Sequence, residues 1–463
     1  MSNKLRAKAD RSTYGDTAIL VSPAPQAPQT KQRHRHIGSA RLAALLRAGL
    51  LGVGIAAATV GAHSVGASTA PPDSGPAEVA TGNGVTDDAI NVAVLNGFTG
   101  PVANLAIPAA DGMDAYFNMV NEAGGVCGRD IVLDRRDTQY DPQVAIQEYR
   151  AVSGDIAMLA GVVGGATIFG LSEDIVRDDL ALMANTGTES VLALPNVMMF
   201  IAPFALEVIN GVSWAADELA GDDGVLQLGV VYQADAFGEA GMAAAQYVED
   251  NADNVEIVGT ATYTPTDQDL TSQAQEMMDS GAEVVWLHVI SSQVGKLLGA
   301  AAQLGYDPMW VGMSASFASS NVEPMGDLLD NFRYVSSTVA YGEDVPGMAD
   351  LVANYEAISD EPGQDYVVTG WVNGSVVAHL LQRACDLGDL TPAGIVAAQV
   401  GLEVDNNGVA PNFSYGETPD ERIPTRETRV NSINLETTFG EPVTDFAVSP
   451  LAEQWTLADG AQG

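Results

Sequence analysis

A catalyst would show itself in serine, lysine or histidine, and in this chain each falls short of a working pattern. Gly312-Met313-Ser314-Ala315-Ser316 follows the spacing of a nucleophile elbow until its last position, which is Ser where Gly is needed. Gly295-Lys296 is followed by Leu297 instead of a hydroxyl residue and lacks the upstream glycine of a phosphate loop. Gly82-Asn83-Gly84 has Asp87 where a dinucleotide fingerprint places its third glycine. His288 falls in a strand-like apolar run and His379 in a helical one, neither with a second His or a Cys at ligand spacing. A lone strand histidine such as His288 reads as a core residue. Acid pairs carry no information among 60 Asp and Glu. No catalytic residue, no metal and no cofactor is expected.

Two other sets of residues point to structure and binding. Cys127 and Cys385 are the sole cysteines, and in an exported chain they are expected to form a disulfide, the alternative being two unrelated buried thiols. A bridge closing 258 positions would stabilise by at most about 5 kcal/mol on a chain-entropy argument. The second set is a series of Gly- and Thr-bearing loops after apolar runs: Gly97-Phe98-Thr-Gly-Pro-Val-Ala103, Gly164-Gly165-Ala166-Thr167 and Asn185-Thr186-Gly187-Thr188-Glu189-Ser190. In parallel sheets ligands sit beyond the carboxyl ends of the strands, where helix N-termini offer free N–H groups.

The elements that would position those loops follow from hydrophobic periodicity. Apolar runs over 90–95, 131–133, 158–163 and 181–183 read as buried parallel strands separated by helical patterns, and the alternation restarts over 226–232, 255–258, 284–289 and 309–311. Helices are predicted over 238–251, 270–280 and 293–304, with Asp267 and Asp269 placed to cap the middle one. Two further helices, 348–358 and 367–387, and a late strand over 430–435 hold too few strands for a third sheet. The fold class is α/β, with two doubly wound parallel-sheet lobes.

Composition bounds the partners. The 463 residues carry 20 Lys and Arg against 60 Asp and Glu, a net charge of −40, which repels any phosphate backbone and excludes a nucleic-acid partner. Nine of the basic residues precede an uncharged apolar run over 48–62, too short to span a membrane and followed by Val65-Gly66-Ala67, so 1–67 reads as an export signal with a long basic start. The alternative is an uncleaved anchor. Cleavage would leave 11 basic and 58 acidic residues, a charge that suits a saline habitat or simply an acidic secreted protein. No Cys lies near the cleavage point, so lipid anchoring through one is not expected. The Pro- and Gly-rich stretch over 68–87 reads as a flexible linker.

The ordered set of stretches 90–103, 107–142 with its Asn121-Glu-Ala-Gly-Gly-Val-Cys-Gly-Arg129, 228–239 and 264–271 resembles the type I extracytoplasmic solute-binding proteins of ABC importers, in their leucine/isoleucine/valine-binding branch. The resemblance spans about 90–446 and implies a three-strand hinge near Ile201, Tyr341 and Arg429, giving lobe 1 as 88–201 plus 341–429 and lobe 2 as 202–340 plus 430–456. It implies that loops carrying Ala166, Thr167, Gly187, Thr188 and Glu189 hold a ligand carboxylate, with Phe98 and Leu105 on the first loop and Phe237 opposite. Two tyrosines usual in the family fall on Leu105 and Ile290, and the acid that would meet a ligand ammonium falls on Ser314. A buried ammonium needs a carboxylate, so either Asp235, Glu189 or Glu343 substitutes or the ligand has none. The expectation is a non-enzymatic, exported monomer that binds a small hydrophobic ligand, a branched-chain or related amino acid, and delivers it to ABC permease subunits. The alternatives are a carboxylate, amide or urea ligand, or a ligand sensor.

Overall fold

The computed structural model describes residues 79–220 and 224–460, so the expected export signal and residues 68–78 lie outside it. Among the described residues the first sheet has five parallel strands: β1 Ala89–Asn96, β2 Asp130–Asp137, β3 Met158–Val163, β4 Leu182–Asn185 and β5 Val197–Met199, in the order β2-β1-β3-β4-β5. The central strand β1 (AINVAVLN) is almost wholly apolar because helices cover both faces of a parallel sheet. The edge strand β2 (DIVLDRRD) alternates, and its Arg135 forms ion pairs with Asp111 and Asp114 of α1, Ala103–Glu122. Helix α2, Pro142–Val152, begins where Asp141 accepts from Gln143 N at 2.7 Å and Pro142 fits the first turn; α3, Gly165–Arg177, follows β3 directly.

The second sheet repeats the plan. Strands β6 Leu226–Gln233, β7 Val255–Tyr263, β8 Val284–His288, β9 Met309–Gly312 and β10 Phe332–Ser336 run parallel in the order β7-β6-β8-β9-β10. Antiparallel β11 Arg429–Ile433 and β12 Gly440–Pro442 extend it beyond β10. Helix α4, Phe204–Leu219, leads into this sheet, and α5 Ala236–Asn251, α6 Thr271–Ser280 and α7 Ser291–Leu304 connect its strands. The capping of α6 differs from the prediction. Asp267 instead closes the preceding turn, accepting from Thr264 N at 2.7 Å, while Asp269 accepts from Thr271 N at 2.8 Å.

The chain then returns to the first sheet. Helices α8, Met348–Ile358, and α9, Asp365–Asp386, pack on α1, and Cys385 at the end of α9 is disulfide-bonded to Cys127 just beyond α1. The α1–α9 seam is close because a Cβ at Gly370 would collide with the Ala109 carbonyl; Tyr116 and Trp371 meet edge to face at 4.9 Å beside it. The last residues of the linker stretch are not loose: Ala80–Thr81 pairs in parallel with Asp389–Leu390, and Gly84 O accepts from Asn91 N at 2.7 Å. Backbone pairing with the first sheet's unit wins over the flexibility that Pro and Gly suggest. The strands β5 and β10 were not predicted, being three and five residues long with no periodic pattern of their own. Where the chain passes between sheets, Ala202 N donates to Ser337 Oγ at 3.0 Å and Asn210 Nδ2 to Thr428 Oγ1 at 3.0 Å.

Candidate functional site

Both sheets present the carboxyl ends of their strands to one shared cleft, which encloses about 940 Å³ including its mouth. This is the switch-point edge, where the connections on either side of β1 and of β6 diverge. From the first sheet come Asn96, Val163 and Asn185, the last residues of β1, β3 and β4, with Gly164 and Gly165 at the start of α3 and Thr186 behind β4. From the second come Phe237 after β6, Ile290 after β8, and Ser314 and Ala315 after β9. The crossings add Phe200, Ile201, Ser336, Ser337 and Thr338, and the α1–α9 seam adds Leu105, Tyr366 and Asn373.

Four predicted site residues, Leu105, Phe237, Ile290 and Ser314, line this cleft. Six do not. Phe98 is half-buried outside it; Ala166 is exposed on α3, and Thr167 is buried beside it. Gly187 is packed against the Phe204 ring and accepts from Phe204 N at 2.8 Å, so its part is to seat an aromatic that does line the cleft. Thr188 holds Thr186 Oγ1 at 3.0 Å from its own hydroxyl, one step behind the wall. Glu189 is buried away from the lining, its carboxyl and the Trp455 ring both beside Gly460. In these loops the residues that line the cleft lie one to three positions before the expected ones: the strand-terminal residue and the one after it.

Among the described residues no Asp, Glu, Lys or Arg lines the cleft. Each acid proposed as an ammonium partner has another task. Asp235 caps α5, accepting from Phe237 N at 3.1 Å; Glu343 forms a two-point pair with Arg429 at 2.8 and 2.6 Å; Glu189 faces the C-terminal segment. A fourth acid, unforeseen from sequence, lies one layer behind the wall. Glu207, in the first turn of α4, is fully buried and its Oε2 accepts from Ser314 N at 2.9 Å and Ser314 Oγ at 3.1 Å. Burial pushes its pKa up to about 8, and that of Glu189 up to about 7, so both favour the neutral acid.

The wall opposite α3 is aromatic. Phe204 and Phe237 meet edge to face at 5.6 Å, and His288 backs them with its ring centroid 4.5 Å from Phe237. Burial drives the His288 pKa down to about 3, so it is a neutral part of the wall. Donors sit across from it. The N–H groups in the first turn of α3 have no side-chain cap, Gly164 takes φ +83°, and Thr186 supplies a hydroxyl. Across the mouth Asn104 Nδ2 of α1 donates to Ser291 Oγ of α7 at 3.1 Å. Among the described residues there is no cluster of three or more His, Cys, Asp or Glu able to hold a metal, and no helix long and apolar enough to cross a membrane.

This arrangement is matched by sequence. The profile described as periplasmic binding protein matches residues 89–434, three quarters of the chain. The chain belongs to the periplasmic binding protein family. The binding protein is 23% identical over 347 residues to the Leu/Ile/Val-binding protein homolog 8 of Brucella abortus (strain 2308), covering 68% of this chain and 81% of that relative. Its fold superposes on the fatty acid ABC transporter substrate-binding protein from Thermomonospora curvata with a TM-score of 0.76 at 24% identity, covering 81% and 97% of the two chains. A branched chain amino acid ABC transporter from Thermus thermophilus with bound valine gives a TM-score of 0.69 at 17% identity, covering 81% and 99%. The type I, two-sheet α/β architecture of the binding protein is that of these neighbours.

Proposed function

We propose that this protein is the exported substrate-binding component of an ABC importer, acting as a monomer without chemistry of its own, and that its cargo is a small apolar carboxylate lacking an ammonium group. The observation that carries the reading is a cleft without a charged side chain. A carboxylate fits such a cleft because helix N–H groups at Gly164 and Gly165 and the Thr186 hydroxyl stabilise an anion without a countercharge. An ammonium does not, because its desolvation is repaid only by a paired acid. Leu105, Ile290, Phe204 and Phe237 then take an aliphatic or aromatic body. Closing the lobes over it presents both to the permease subunits.

A branched-chain amino acid is the second reading, favoured by the names of the relatives and by Glu207 one layer behind Ser314. Thermal unfolding of the exported chain with L-leucine, 4-methyl-2-oxopentanoate, octanoate and benzoate separates the two. A ligand at 100 times its Kd adds about 2.7 kcal/mol, a clear rise in Tm. The expected result is a shift with the acids lacking an amine and none with leucine. A shift with leucine alone would establish the second reading.

A further inference from the structure

The α9 residues Tyr366, Thr369, Gly370 and Asn373 fall on one helical face, and all four line the cleft. The deepest polar group on that face is Asn373, 1% exposed. Its Nδ2 donates to Ala160 O at 3.1 Å and to Asn185 Oδ1 at 3.0 Å. The main-chain oxygen fixes which end of the amide is the donor, and Asn373 Oδ1 is left buried with no hydrogen-bond partner. Asn185, ending β4, has its Oδ1 taken by Asn373, so its Nδ2 is the free end. Room for that amide is made by Gly161 of β3, where a Cβ would stand 2.8 Å from Asn185 Nδ2. Asn185 opens one of the loops noted in the sequence, but nothing there pairs it with Asn373, because β4 and α9 lie about 190 positions apart in the chain.

A buried amide oxygen without a donor costs on the order of 1 to 3 kcal/mol, so such groups are met by a ligand or an ordered water. We infer that the Asn185–Asn373 pair is a second polar subsite of the cleft, and that the cargo carries an uncharged hydroxyl or carboxamide which donates to Asn373 Oδ1 and accepts from Asn185 Nδ2. An ammonium is the poorer donor for this place, because an amide dipole alone does not offset its desolvation. The inference rests on the proposed reading of the cleft as a carboxylate site and narrows its ligand to hydroxy or amide acids. A site built to bond a hydroxyl rejects the analogue without one far more strongly than an apolar pocket rejects a missing methylene.

The test is a set of matched acids titrated calorimetrically into the full exported chain: 4-methylpentanoate against 2-hydroxy-4-methylpentanoate, and benzoate against 4-hydroxybenzoate. In at least one pair the hydroxy acid is expected to bind about tenfold or more tighter. That advantage should vanish in Asn373→Leu and in Asn185→Leu; the second variant leaves the bond to Ala160 O intact should the first fail to fold. Equal binding within both pairs would overturn the subsite and leave the carboxylate reading standing, with water on Asn373. Binding of no acid at all would overturn both.

Discussion

Two glutamates, Glu207 and Glu189, are both buried and both raised in pKa by that burial, yet their surroundings differ. Glu207, on α4 against the second sheet, is fully buried and is met by two donors from Ser314, a cleft residue. Glu189, after β4 of the first sheet, is 3% exposed, its Oε2 has no hydrogen-bond partner, and its carboxyl and the Trp455 ring both lie beside Gly460 of the C-terminal segment. Burial sets the protonation of both, whereas their partners decide what that protonation reaches: the cleft in one case, the C-terminal segment in the other.

The pH dependence has a definite sign. Below about pH 4.5 both acids are protonated whether the chain is folded or not. As pH rises through the unfolded value toward about 8 for Glu207 and about 7 for Glu189, the unfolded chain ionises first and native stability falls; above those values the loss is complete. The largest effect is therefore expected from Glu207→Gln, which keeps the shape of the neutral acid and should raise stability at pH 9 by on the order of 5 kcal/mol, read from urea midpoints at pH 5 and pH 9. An unchanged pH profile would mean that water or a cation reaches Glu207.

Trp455→Ala comes next, with an expected loss of about 3 to 5 kcal/mol from the cavity left by a side chain that is 1% exposed. It should also admit water to Glu189 and flatten that residue's share of the pH dependence while leaving Glu207's intact; loss of both together would show that the two acids are not independent. Glu189→Gln alone should gain on the order of 3 kcal/mol at pH 9, checked in the same urea series. The smallest effect is that of Ser314→Ala, which removes one of Glu207's two donors at a cost of about 1 kcal/mol in stability and shifts ligand affinity, whereas Glu189→Gln should leave affinity unchanged. Calorimetric Kd values for the two variants decide whether only one of these acids is wired to the cleft.

The architecture was legible because strands such as β1 and β3 are continuous apolar runs, and parallel sheets write that signal plainly. Strands β5 and β10 were not, because three residues of Val-Met-Met and a mixed Phe-Arg-Tyr-Val-Ser owe their pairing to neighbours. Within the site, Leu105, Phe237, Ile290 and Ser314 came from the resemblance to solute-binding proteins, and all four are among the lining residues. Thr188 and Glu189 are not among the lining residues: a hydroxyl and an acid in a loop look alike whichever way the backbone turns, and here Thr186 lines the cleft while Glu189 is buried away from it. Glu207 and Asn373 carry no local signal: each is an ordinary polar residue within a helix until Ser314 or Asn185 is brought beside it.

The order of segments along the chain has a consequence for how this molecule is made. Helix α9, which the first sheet's unit needs to cover α1 and to supply Cys385, is synthesised after strands β6 to β10 of the second sheet, and β11 and β12 of that second sheet come later still. Each half is thus interrupted by the other, and no single cut of the polypeptide yields an intact half. A chain emerging N-terminus first must pass residue 422, whose guanidinium donates to Pro195 O, before its first half holds these parts, and must reach residue 442 before its second holds β12. Delayed completion of this kind keeps the polypeptide open for longer during synthesis, which suits the export proposed above.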